Sequence, residues 1–123
     1  DILGASFNKI NFMPLKPTIT YDDFAKLDLR VGTVESFEDV EKSEKLVKLT
    51  VNIGLNTRQI LAGIKDAVKK EDLVGKQIII VANLEAKKMA GLESQGMILA
   101  ADEDGKAIIV SPVRELEDGT VVR

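Results

Sequence analysis

The chain has 123 residues, 45% hydrophobic and 30% charged, a size and balance that fit one folded soluble domain and exclude disordered, collagen-like and disulfide-framework classes. With no Cys and no His, it lacks a thiolate nucleophile, an imidazole base and the commonest metal ligands, so most small-domain catalytic designs are excluded too. The net charge is −3, yet residues 54–90 hold seven Lys/Arg against four Asp/Glu, an asymmetry that makes a local anion-binding surface unless these lysines are simply solvated.

No apolar run approaches the roughly 20 residues that span a bilayer, and the N-terminus lacks a signal-peptide layout. A soluble, cytoplasmic chain with no membrane partner is expected. Asp1 stands where an initiator Met would, as in a trimmed chain or the excised end of a longer one.

In chain order, residues 1–18 carry Pro14, Pro17, Asn8 and Asn11 among irregularly placed Phe7, Ile10, Phe12 and Met13. They read as an N-terminal arm or linker whose apolar groups pack on the domain or on a second subunit. Residues 19–123 form the domain proper with a C-terminal extension. Thr20 and Asp23 resemble a capping box, and Ile19 with Phe24 a hydrophobic staple, opening a short helix from Tyr21 to about Lys26. Leu29 to Glu35 is a first strand, in which Gly32 suggests a bulge or bend. Val47, Leu49, Val51 and Ile53 alternate with Lys48, Thr50 and Asn52, the period of a half-buried strand. Turn residues 54–57 then join it to a third strand over Arg58 to Ile64. Ile64, Ala67 and Val68 have helical spacing, closed by Gly75, and predict a short helix or helical turn within 64–74. The run Ile78-Ile79-Ile80-Val81, inside Lys76 to Ala82, predicts a central strand apolar on both faces. Gly96 to Ala101 is a fifth strand, with Lys106 to Val110 its hairpin partner across Asp102-Glu103-Asp104-Gly105, and an extended tail ends at Val121-Val122. Five or more short antiparallel strands with a helix between the third and fourth match the order of an OB-fold, an all-β five-stranded antiparallel barrel, here with short helices and N- and C-terminal extensions.

Catalytic candidates are poor. Asp22-Asp23 sit in a first helical turn, where carboxylates favour the helix dipole without chemistry. Asp102 to Gly105 lacks the ligand spacing of an EF-hand, and Gly91 with Gly96 fits no phosphate-cradle motif. No catalytic residue, metal ligand or cofactor is assigned. The stretch from Asn83 to Met97 is different. It combines adjacent Lys87 and Lys88 with Met89, Met97, Asn83, Ser94 and Gln95, held between two apolar strands at the OB-fold's cleft loop. Lysines there suit phosphate, and the amides and hydroxyl suit sugar or base edges; the alternative is a plain surface loop whose methionines fill core gaps. All five aromatics, Phe7, Phe12, Tyr21, Phe24 and Phe37, precede residue 38, so the second and third strands offer no stacking platform of the kind single-strand binders use. Any nucleic acid bound here is read by backbone and shape.

Asp28-Leu29-Arg30-Val31-Gly32, Ser43-Glu44-Lys45-Leu46, Asn83-Leu84 through Lys87-Met89, and above all Gly91-Leu92-Glu93-Ser94-Gln95-Gly96-Met97 resemble the tRNA-binding domain found at the C-terminus of many methionyl-tRNA synthetases. That domain is similar to free-standing structure-specific tRNA-binding proteins, to the cytokine-like domain of the endothelial monocyte-activating polypeptide, and to an insertion in the phenylalanyl-tRNA synthetase β chain. The resemblance covers about residues 18–123. It implies a noncatalytic OB-fold that binds the tRNA elbow or outer corner, usually as a homodimer, and assists aminoacylation by a covalently linked synthetase catalytic domain. A dimerisation module with little RNA affinity is the alternative. Carried over by position, Asn83, Lys87, Met89, Ser94, Gln95 and Met97 match the RNA-contacting loop, Lys88 adjoins it, and Arg30, Lys45 and Arg58 are nearby basic groups. The chain departs from the family where a Pro often stands, at Val40-Glu41-Lys42 and at Ala86.

Overall fold

The computed structural model describes residues 13–123. The expectations for Phe7, Ile10 and Phe12 lie outside them; Met13 is described and is exposed. A one-turn helix, α1 (Tyr21–Phe24), opens on Thr20, whose hydroxyl accepts from the Asp23 amide at 3.1 Å. Asp23 does not complete a box. Its carboxylate instead meets Lys26 at 3.5 Å, and Ile19 stays exposed.

The next five elements build the barrel: β1 (Leu29–Asp39), β2 (Val47–Asn52), β3 (Thr57–Ala62), the single-turn α2 (Lys70–Leu73) and β4 (Gln77–Val81). Their alternation determines the core. Val47, Leu49 and Val51 of β2 are wholly buried while Lys48, Thr50 and Asn52 are half-buried. A long β1 pairs antiparallel with β4 through Leu29 to Thr33 and with β2 through Thr33 to Asp39. Its register shifts between Val34 and Ser36, so the expected bulge lies just past Gly32. Gly32 itself answers to space, since a Cβ there would come 2.6 Å from Val51 Cγ1. The helical spacing over 64–74 gives a turn at Ile64 to Val68 and then only α2. Lys69 is extended (φ −86°, ψ 148°) and has no capping hydrogen bond from its side chain, which separates the two pieces.

After β4 the chain forms β5 (Lys87–Met89), β6 (Leu92–Ser94), β7 (Met97–Ile98), β8 (Ala100–Glu103), β9 (Lys106–Ile109) and β10 (Val121–Val122). The main sheet runs β3-β2-β1-β4-β7, the order of the expected barrel. The predicted fifth strand is broken. Met97 and Ile98 pair with β4, Leu99 donates to the Ile79 carbonyl at 2.9 Å, and from Ala100 the chain pairs only with β9. The strand leaves the barrel to make a separate hairpin.

Because β4 is apolar on both faces, there are two clusters. The barrel interior holds Val34, Leu49, Val51, Ile60, Ile78 and Ile80, all wholly buried, each contributing about 1.5–3 kcal/mol by leaving water. Ile79 and Val81 face outward with Leu29 and Val31, covered by Leu99, Leu116 and Val122. The C-terminal extension is therefore part of the fold. Val121 and Val122 pair with Arg30 and Leu29, so Val122 packs on its own barrel rather than needing a second subunit. Gly54 and Gly119, both at positive φ, bring two backbones together: a Cβ on Gly54 would lie 2.6 Å from the Asp118 carbonyl oxygen, and one on Gly119 would collide with that of Ile53.

Candidate nucleic-acid interface

The stretch from Asn83 to Met97, read as a loop, contains a hairpin. Lys87, Lys88 and Met89 pair with Ser94, Glu93 and Leu92, joined by Ala90 and Gly91 at φ 50° and 81°. Two successive positive φ values are the mark of a tight two-residue hairpin turn. Directly paired residues share a face, so Lys87 lies on the Ser94 face and Lys88 on the Glu93 face. The two lysines leave the hairpin on opposite sides.

This hairpin is not part of the barrel's ladder. It is held against β3 by single hydrogen bonds: the Gln95 amide donates to the Gln59 carbonyl at 2.7 Å, and the Leu61 amide donates to Ser94 Oγ at 3.0 Å. Ser94 Oγ in turn donates to the Gly96 carbonyl at 3.1 Å. The Gln59 amide donates to Gln95 Oε1 at 3.0 Å, while Gln59 Nε2 donates to the Glu93 carbonyl at 2.8 Å. With Gln95 at Gln59 and Ser94 at Leu61, β6 runs antiparallel to β3.

The ten predicted site residues fall into two groups. Lys45, Lys87 and Lys88 are exposed and form no ion pair among the described residues. Met97 is 49% exposed and Met89 half-buried. The other five are engaged within the protein. Ser94 is 4% exposed, its hydroxyl spent between Leu61 and Gly96. Gln95 is committed to Gln59. Asn83 accepts from the Asp28 amide at 2.8 Å and donates to the Lys26 carbonyl at 2.7 Å, fixing the link between α1 and β1 to the chain just past β4. Arg58 Nη1 donates to the carbonyls of Ala82 (2.9 Å) and Gln95 (3.1 Å). Arg30 grips the Asp28 carboxylate through Nε (2.6 Å) and Nη2 (3.3 Å) and the Gly119 carbonyl through Nη1 (3.1 Å). The bond to Asp28 raises the Arg30 pKa above its ordinary value, outweighing the desolvation that lowers it. Both arginines thereby act as clamps. Among the described residues no buried side-chain N or O lacks a partner, so no orphaned polar group marks a second site.

Gln59 was missed by the sequence reading. It stands among Thr57 and Arg58 in the polar first half of β3, which looks like an ordinary outward stretch.

The described aromatics do not lie on β2 or β3: Phe37 is buried, Tyr21 exposed and Phe24 at the border. No described helix is long and apolar enough to cross a membrane.

Residues 29–121 match the family described as "Putative tRNA binding domain". The methionine–tRNA ligase of Archaeoglobus fulgidus is 48% identical over 110 residues, covering 89% of this chain and 17% of the relative. That of Salinibacter ruber is 44% identical over 124 residues, covering 100% of this chain and 17% of the relative. The chain thus spans about a sixth of the length of these curated relatives. Among solved structures, a MetRS-related protein from Pyrococcus horikoshii superposes with a TM-score of 0.83 at 38% identity, over 88% of this chain and 100% of that one. The chaperone CsaA from Bacillus anthracis superposes at 0.79 and 33% identity, over 87% and 100%. An all-β barrel of this strand order and matches of this extent place the chain in the tRNA-binding domain family, members of which methionyl-tRNA synthetases carry.

Proposed function

We propose that this domain binds tRNA without catalysis, by backbone and shape at the elbow or outer corner. In doing so it gives a linked methionyl-tRNA synthetase catalytic domain a second hold on its substrate. The observation that carries this is the β5–β6 hairpin: it presents Lys87 and Lys88, exposed and without an ion-pair partner among the described residues, from a base anchored on β3. An exposed ammonium in that position meets a phosphate without first breaking an internal bond. Lys45, also exposed and without an ion-pair partner among the described residues, adds a third free cation. The lack of aromatics on β2 and β3 favours a folded RNA surface over splayed bases. A second contact of this kind raises the local concentration of tRNA at the catalytic domain without touching the chemistry.

Within the ten residues, the division of labour is that Lys87, Lys88 and Lys45 neutralise phosphate, while Met89 and Met97 supply apolar contact beside them. Asn83, Ser94, Gln95, Arg30 and Arg58 hold the surface in shape. The cytoplasmic setting follows from the partner. Residues 1–18 act as an arm that pairs two copies, placing two RNA surfaces on one particle. Titrating the full chain into labelled tRNA by anisotropy or gel shift tests the proposal. Saturable micromolar or tighter binding supports it; absence of a shift from a chain that sediments as a dimer would favour a dimerisation module.

A further inference from the structure

We propose that Gln59 is a positioning residue for RNA binding, the group that holds the lysine-bearing hairpin at a fixed angle to the barrel. This rests on the RNA-binding reading of the hairpin. The β5–β6 ladder is self-contained and shares no strand pairing with the main sheet, so its orientation depends on a few point contacts. Three of them meet at Gln59: its carbonyl takes the Gln95 amide (2.7 Å), its amide gives to Gln95 Oε1 (3.0 Å), and its Nε2 gives to the Glu93 carbonyl (2.8 Å). The first two fix the strand's exit from the hairpin. Only the third reaches past Ser94 into the hairpin, at the residue paired with Lys88.

A hairpin free to swing must be ordered when it meets a phosphate surface, and that ordering is charged against affinity. Gln59 Nε2 removes the cost in advance. The charge carried to the RNA is unchanged by it, so its contribution is separable from that of the lysines.

The test compares the full chain with Gln59→Met, which keeps side-chain length and removes the donor, using unfractionated tRNA as probe. Amide hydrogen exchange is followed over Lys87–Ser94 and, as internal control, at Val51 and Ile80. Affinity is expected to fall roughly threefold to tenfold, the loss of about one net hydrogen bond. The slope of log affinity against log salt stays the same. Hairpin amides exchange faster while the control amides do not. If Gln59→Met also destabilises the barrel, Gln59→Thr is the second variant: it suits a strand and is too short to reach Glu93. Faster hairpin exchange with unchanged affinity overturns the proposal, as does unchanged hairpin exchange. A flattened salt slope overturns it too, by showing that Gln59 alters the charge presented. Failure of the wild-type chain to bind tRNA, or indifference of binding to Lys87→Ala/Lys88→Ala, marks failure of the RNA reading itself and removes this proposal with it.

Discussion

Ser94→Ala removes a hydroxyl that ties β6 to β3 and to the bend at Gly96 without touching a core side chain. Ser94 Oγ accepts from the Leu61 amide at 3.0 Å and donates to the Gly96 carbonyl at 3.1 Å, and Ser94 itself is 4% exposed. Gly96 is half-buried and Leu61 buried. In the variant, water can therefore reach the Gly96 carbonyl more easily than the Leu61 N–H. An unpaired buried N–H costs about 1–3 kcal/mol. With an unfolding entropy of about 2.1 cal/mol/K per residue over 123 residues, each kcal/mol lowers the melting temperature by about 4 °C. Calorimetry or thermal circular dichroism should show a drop of about 4–12 °C. Affinity for tRNA, measured well below the new transition, should fall several-fold with an unchanged salt slope, because no charge is lost. A shift under about 1 °C would show that the Leu61–Ser94–Gly96 bridge contributes nothing to stability. Strong loss of binding with an unchanged melting temperature would mean that the hydroxyl meets RNA directly and that its role as an internal bridge is wrong.

Gly119→Ala combines a collision with the Ile53 carbonyl and a left-handed backbone, and should cost at least about 2 kcal/mol in urea unfolding. Gly63→Ala, with nothing within 4 Å, should stay within about 0.5 kcal/mol as its control; equal effects would refute the close packing of the C-terminal extension. For the proposed homodimer, sedimentation of the full chain at micromolar concentration should give a dimer mass that falls to monomer when residues 1–18 are deleted. A monomer mass for the full chain would refute it.

Where one local signal decides the structure, the sequence was readable. Alternation in β2 and the unbroken Ile78 to Val81 run each have a single physical solution, a strand buried on one face and a strand buried on both. Asp104-Gly105 is a strong turn dipeptide, and both residues do take positive φ (51° and 85°). The parallel case failed for an equally local reason. Ala90 and Gly91 make the same kind of turn, but alanine pays about 1–2 kcal/mol there and does not advertise it, so β5 and β6 were hidden inside a loop. The broken fifth strand was out of reach for a different cause. Leu99 bonds Ile79 on one side and takes the Val110 amide at 3.3 Å on the other, a change of partner that no periodicity records.

Site residues followed the same rule. Composition marked Lys87 and Lys88 as charged but not that pairing sends them to opposite faces. It marked Arg30 and Arg58 as cations, whereas their bonds to Asp28, Gly119, Ala82 and Gln95 are long-range in all but the first. Asp28, two residues from Arg30, was the one available hint. Ser94 and Gln95 stood out as polar groups between two apolar strands, and in the structure they bond Leu61, Gly96 and Gln59.

The central claim is that two hairpin lysines carry phosphate contacts, and the salt dependence of tRNA affinity tests it most directly. The full chain and its Lys87→Ala/Lys88→Ala variant are titrated into labelled tRNA across a range of monovalent salt. Each phosphate neutralised contributes roughly 0.7–0.9 to the slope of log affinity against log salt, so the variant should bind more weakly with a slope reduced by about 1.4–1.8. Unchanged affinity and slope, with the fold intact by circular dichroism, would contradict the account and move the RNA surface away from the hairpin.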